Sequence, residues 1–189
     1  MNYALDMEIR DVTVSRREIV GRCAPYGETS YLTGDARGER LLPGCFATSI
    51  RQRGDRIPLC LGHQHGRAAV GLSLRDGWQD SPDGLVGVWR VRPDAEGDKV
   101  LADVHDGYLP QMSVGFAPVH NRTRRGVDGA LEVTEAVLKE VSLVSVGAYD
   151  GAVTLATRAA VEVPDLAAIL APFGNRPEVN LDPLPRFGI

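Results

Sequence analysis

A chain of 189 residues, 43% hydrophobic and 24% charged, carries enough apolar material for one domain with a hydrophobic core plus tails. Its net charge of -4 argues against a general nucleic-acid binder, and the arginines at Arg16–Arg17 and at Arg122, Arg124 and Arg125 form groups too short to track phosphates. The three cysteines, Cys23, Cys45 and Cys60, are odd in number and widely spaced, which excludes a disulfide framework and a Cys-x-x-Cys zinc site and fits a reducing interior.

The first ten residues, MNYALDMEIR, lack the charged-then-apolar order of a signal peptide, and no later apolar run is long enough for a membrane-crossing helix, so the expectation is a cytosolic protein without a membrane partner. MEIRDVTVSRREIVGRCAPYG predicts one or two strands ending near Gly27. Gly44 to Arg51 predicts a short helix after Pro43, with Phe46 and Ile50 sharing a face at i and i+4. Ile57 to His63 predicts a strand. The segments AVGLSLRDGW and GLVGVWRV flank the turn signal Ser81-Pro82-Asp83-Gly84 and predict a hairpin. Asp94 to Leu109 predicts a helix with Val100, Leu101 and Val104 on one side. A strand from Gln111, a polar turn (NRTRRGVDG), a long β-prone run from Ala130 to Gly147 and a last strand, GAVTLATR, follow.

After Ala159 the chain holds five of its twelve prolines, which predicts a short amphipathic helix near Leu166 to Leu170 and then an irregular tail. The organisation expected is one β-rich α+β domain over residues 1–158 and a Pro-rich, removable tail over 159–189, with no internal repeat.

The stretch QMSVGFAPVH poses the functional question. On a strand, Met112, Val114 and Phe116 point one way as a core face, while Ser113, Gly115 and Ala117 form a nearly bare face. Such a face leaves room for another part of the protein or for a substrate peptide.

A serine is a weak nucleophile unless a base lies within hydrogen-bond reach and a third group orients that base. Of the four histidines, His105 and His120 read as surface positions and His65 as a loop residue. By strand alternation His63 shares a face with Ile57, Leu59 and Leu61. It is either a histidine at the edge of the core with a satisfied hydrogen bond or a base. His63 and His65 on one face of a strand also raise a metal reading, with Cys60 as the third ligand if the loop folds back. In LKEVSLVSVGAYDGA, Glu140 interrupts a β-forming run and shares a face with Ser142 and Val144. A carboxylate there is costly to bury unless paired, so it is either exposed, bound to an arginine, or the partner of a histidine.

Taken together, GRCAPYG, ERLLPGCFATSI, IPLCLGHQHGRAAVG, MSVGF and LKEVSLVSVGAYDGA, in that order across Val20 to Arg158, resemble the prohead proteases of tailed bacteriophages, relatives of the herpesvirus assembly proteases. The resemblance implies a herpesvirus-protease-like β-barrel of mostly antiparallel strands with a few surrounding helices. It implies a serine endopeptidase with Ser113 as nucleophile, His63 as base and Glu140 where the herpesvirus enzymes carry a second histidine. Gly115 would keep the face open for substrate, and the N–H groups of Gly147 and Ala148 are oxyanion candidates. Here Val146-Gly147 is followed by Ala148-Tyr149, where the herpesvirus enzymes place arginines.

The role implied is cleavage of a scaffold protein or of an extension of the major capsid protein, and of the protease itself. It would take place in the host cytoplasm inside the assembling procapsid, with no cofactor, no metal and no nucleic acid. A homodimer is left open. The alternatives are a non-enzymatic assembly module of the same fold, a metal-dependent hydrolase at His63 and His65, and a cysteine protease at Cys60 or Cys45.

Overall fold

Alternating apolar residues dominate the chain, and the computed structural model, which describes residues 17–32 and 35–158, turns them into strands. In chain order these are β1 (Glu18–Pro25), β2 (Thr29–Ser30), β3 (Glu39–Leu41), helix α1 (Ala47–Arg53), β4 (Pro58–Leu61), β5 (Gly71–Ser73), a 3-10 turn (Arg75–Gly77), β6 (Gln79–Ser81) and β7 (Gly84–Val91). Helix α2 (Ala95–His105), β8 (Gln111–Pro118), β9 (Thr123–Arg125), β10 (Leu131–Val133), β11 (Ala136–Val144) and β12 (Val153–Arg158) complete it.

The main sheet runs β1-β12-β8-β11-β4-β5-β7-β6, and a second pairing of β1 with β7 closes seven of these strands into a barrel. Closure needs strands that bend, and β1 shifts register at Val20/Gly21 against β12 and at Arg22/Ala24 against β7. All pairs in this sheet are antiparallel except β4 with β11. A smaller sheet, β2-β3-β10-β9, shares the same core through Leu41 and Val133. The β-rich α+β barrel expected from the sequence is the architecture observed.

Trp89, Leu138, Leu143 and Met112 are fully buried in the interior, and Trp78 meets Trp89 edge-on at 5.2 Å. Helix α1 is seated on the strand that matters most here. Ser49 Oγ accepts from Leu138 N–H at 2.9 Å and donates to Ala136 O at 3.3 Å, while Phe46 packs edge-on against Phe116 at 5.7 Å. Helix α2 is capped by Asp94, which accepts from Gly97 N–H at 2.9 Å, and buries Val100 and Val104.

Several boundaries differ from the sequence reading, and three of them have a local cause. The first helix starts at Ala47 because Gly44 has φ 77°, a left-handed conformation that cannot belong to a helix. The first arm of the expected hairpin is split by the 3-10 turn, so β5 and β6 each pair separately with β7. The long run from Ala130 breaks at Thr134–Glu135, whose N–H groups go to Arg122 O at 2.9 and 3.4 Å, and its two halves join different sheets. The expected helix at Leu166 to Leu170 and the segment before Arg17 lie outside the described residues.

One buried acid couples stability to pH. Glu39, 9% exposed, accepts from Tyr149 Oη at 3.2 Å. Burial raises its carboxyl above the usual 4.5, and the Tyr149 hydrogen bond only partly opposes this. The folded state therefore holds this proton more tightly than the unfolded chain, so its contribution is present at low pH and is lost as pH rises through the folded value. Glu39→Gln is expected to match the wild-type thermal midpoint below about pH 4.5 and to exceed it increasingly above, as differential scanning fluorimetry across pH would show.

Candidate active site

The site is built on the β8–β11 ladder. Register pairs Leu138 with Phe116, Glu140 with Gly115, Val141 with Val114, Ser142 with Ser113 and Leu143 with Met112. Lys139 is the extra residue of a β-bulge between Leu138 and Glu140. Its effect is specific: Leu138 and Val141 both stay in the core, and Glu140 and Ser142 go to the face that carries Ser113 and Gly115. Ser113 is 7% exposed, Glu140 2% and Ser142 fully buried.

The third element is the turn that leaves β4. Gln64 N–H bonds Leu61 O at 3.0 Å, and both residues between, Gly62 (φ 53°) and His63 (φ 59°), are left-handed, the pattern of a type I′ turn. A histidine in this region costs on the order of 1 kcal/mol and is held there by its surroundings. Gly62 N–H donates to Leu143 O at 3.0 Å, and His63 N–H donates to Ser142 Oγ at 3.0 Å. The imidazole thereby reaches Glu140, with Nδ1 2.5 Å from Oε1. Ser142 Oγ in turn donates to Glu140 Oε2 at 3.0 Å.

Buried and acceptor-only, the carboxylate fixes the proton of His63 on Nδ1 and leaves Nε2 free to take another. The ring is 41% exposed, so a peptide arriving from solvent can reach it. Ser113 lies two positions along β8 from Gly115 and opposite Ser142 on β11.

Beside them runs the loop after β11. Gly147 lies against β8 so closely that a Cβ there would be 2.8 Å from Met112 O, and its N–H donates to Gln111 Oε1 at 2.7 Å. Where the resemblance led us to expect two free backbone donors, Gly147 N–H is already taken. Ala148 N–H has no acceptor among the described residues. Tyr149 is buried and spends its hydroxyl on Glu39.

Two readings from strand alternation are corrected. His63 does not share a face with Ile57, Leu59 and Leu61, because β4 ends at Leu61 and the left-handed turn redirects the ring toward β11. The room above Gly115 is filled from within: a Cβ there would lie 2.6 Å from Glu140 Oε1 and 2.7 Å from its Cγ. Gly115 is therefore the place where the Glu140 carboxylate rests. Gly115→Ala is expected to displace that carboxylate and lower kcat by about 10²-fold, the usual scale for an ångström of misplacement, with KM nearly unchanged; peptide hydrolysis kinetics check it.

Sequence reasoning missed Ser142 and Gln111. Ser142 stands two residues after Glu140 on the same strand, and that spacing was the available signal; Gln111 gave none. The structure also separates the candidate histidines, since His63 contacts Glu140 while His65 donates its N–H to His63 O along the turn and has no side-chain hydrogen bond among the described residues. His63 and His65 gather no metal-holding group of three or more His, Cys, Asp or Glu among the described residues. All three cysteines are buried, and burial raises each thiol, Cys45 and Cys60 to about 12, which disfavours the thiolate a cysteine nucleophile needs.

A family model described as caudovirus prohead serine protease matches residues 5–165. No curated protein matches the chain. Among solved structures, the Kaposi's sarcoma-associated herpesvirus protease in complex with a hexapeptide phosphonate inhibitor is 15% identical, with a TM-score of 0.45 over 73% of this chain. The match spans 64% of that protease's length, just under two thirds. The same virus's protease with a dimer disruptor is 15% identical, with a TM-score of 0.47 over 83% of this chain and 82% of that one.

Proposed function

The chain belongs to the caudovirus prohead serine protease family, the capsid-maturation proteases of tailed phages, and on that premise we propose that it cuts peptide bonds with Ser113 as nucleophile, His63 as base and Glu140 as the group that orients the base. The observation that carries this reading is the 2.5 Å contact of His63 Nδ1 with the buried Glu140, which pairs with Gly115 two positions along β8 from Ser113.

In this mechanism Ser113 Oγ attacks the scissile carbonyl while His63 Nε2 takes its proton. Glu140 holds the ring in the required tautomer and stabilises the imidazolium. The oxyanion donor in this reading is Ala148 N–H, which has no acceptor among the described residues, while Gly147 N–H is held by Gln111. The imidazolium then protonates the leaving amine, and water repeats the sequence on the acyl-enzyme.

The substrates are a scaffold protein or an extension of the major capsid protein, met inside the procapsid in the host cytoplasm, and the protease's own Pro-rich segment after residue 158. Pairing of two copies belongs to the same proposal. The test is co-expression with the neighbouring capsid-protein gene, reading intact masses of both chains. Trimming of the capsid protein at discrete sites supports the reading. Untrimmed capsid protein in capsids that still enclose this chain would favour an assembly module instead.

A further inference from the structure

Ser142 is bonded to both His63 and Glu140 and stands opposite Ser113 in the ladder. Its hydroxyl accepts from His63 N–H at 3.0 Å and donates to Glu140 Oε2 at 3.0 Å. Its Cα is the register partner of Ser113 on β8 and of Cys60 on β4. The Ser142 side chain is fully buried, so water cannot cheaply take the place of either partner at its hydroxyl.

We propose that Ser142 is a positioning residue of the catalytic site, a hydroxyl clamp that fixes the backbone of the base and the carboxylate of its partner to each other; this rests on the triad proposed above. The chemistry of one hydroxyl fits the task. It has one proton to give, which goes to the carboxylate, and lone pairs to receive, one of which takes the His63 N–H. Glu140 Oε2 is thereby satisfied, the plane of the carboxylate is set, and Oε1 is left aimed at Nδ1. At the other end the left-handed backbone of His63 is tied to the centre of the barrel wall. Without that tie the backbone of the turn keeps Gly62 N–H to Leu143 O as its link to β11 among the described residues, and the His63 ring alone carries the contact to Glu140.

Cys60, the register partner of Ser142 on β4, stays a neutral thiol: burial first, and then Glu140, push it up to about 12.

The experiment measures kcat, KM and thermal midpoint of the full-length protein on a peptide spanning a mapped cleavage site. The variants are Ser142→Ala, Ser142→Thr, Glu140→Gln and the double variant Ser142→Ala/Glu140→Gln. Ser73→Ala is the structural control, because its buried hydroxyl also bridges two backbone groups, Ile57 N–H and Gly54 O, away from the site.

The clamp predicts a fall in kcat of about 10- to 100-fold for Ser142→Ala with KM within about threefold, partial recovery in Ser142→Thr, and little further loss when Ser142→Ala is added to Glu140→Gln. Ser73→Ala should lower the thermal midpoint and leave kcat near wild type. Full activity in Ser142→Ala, or losses that simply multiply in the double variant, would overturn the clamp while the triad stands. If Glu140→Gln itself keeps wild-type turnover, the triad falls and takes the clamp with it. Should Ser142→Ala not fold, Ser142→Thr decides alone: it keeps the hydroxyl, so a folded Ser142→Thr protein with no activity contradicts the clamp.

Discussion

Ser113→Ala, co-expressed with the neighbouring capsid-protein gene, is expected to leave both chains at full mass where the wild type trims them. Removing the nucleophile of a serine enzyme lowers turnover by roughly 10⁴ to 10⁶, so even an assay running overnight should show nothing. The substitution is mild for the fold. It deletes one hydroxyl from the face opposite Met112 and Val114, whose core contacts are unchanged, and the expected change in stability is within about 1 kcal/mol. A well-folded, inactive variant therefore reports chemistry. Trimming that persists in Ser113→Ala would remove Ser113 from the mechanism and return attention to the other groups on this face.

How far the sequence reaches is visible in the same residues. Alternation along QMSVGFAP places Met112, Val114 and Phe116 toward the core and Ser113 away from it, because a strand paired on one face has only two directions to choose from. The same rule fails at two points. A bulge adds a residue, and nothing in LKEVSLV says that Lys139 is the one left over; the bulge is set by how β11 must fit both helix α1 and β8. A left-handed turn also breaks alternation. Gly62 hints at it, but His63 adopting the same conformation follows from the tertiary bonds of the turn to Leu143 and Ser142.

Those two irregularities make the site. With regular strands Glu140 would sit on the core face with Leu138, and His63 would face Leu59 and Leu61. The bulge and the turn each reverse one side chain, and the two reversals meet at 2.5 Å. Local rules break where function is assembled because the geometry required there differs from that of an unbroken ladder.

Glu140→Gln should lower kcat on the order of 10⁴ while the protein still folds. Both hydrogen-bond partners of this carboxylate among the described residues donate to it: His63 through Nδ1 and Ser142 through its hydroxyl. A carboxylate meets them with two acceptor oxygens, whereas an amide has one oxygen and an NH₂ group. Wherever the NH₂ is placed it faces a group that was donating. If it faces His63, the ring must carry its proton on Nε2 and loses its capacity to act as base. If it faces Ser142, that hydroxyl must turn and Oε2 is no longer anchored. In both cases the negative charge that stabilises the imidazolium is gone from a site where water screens it poorly. Single-turnover hydrolysis of the mapped peptide separates the outcomes: a loss under about tenfold would mean that Glu140 holds the turn in shape and takes no part in orienting the base. A loss near 10⁴ with an unchanged thermal midpoint would place it in the chemistry.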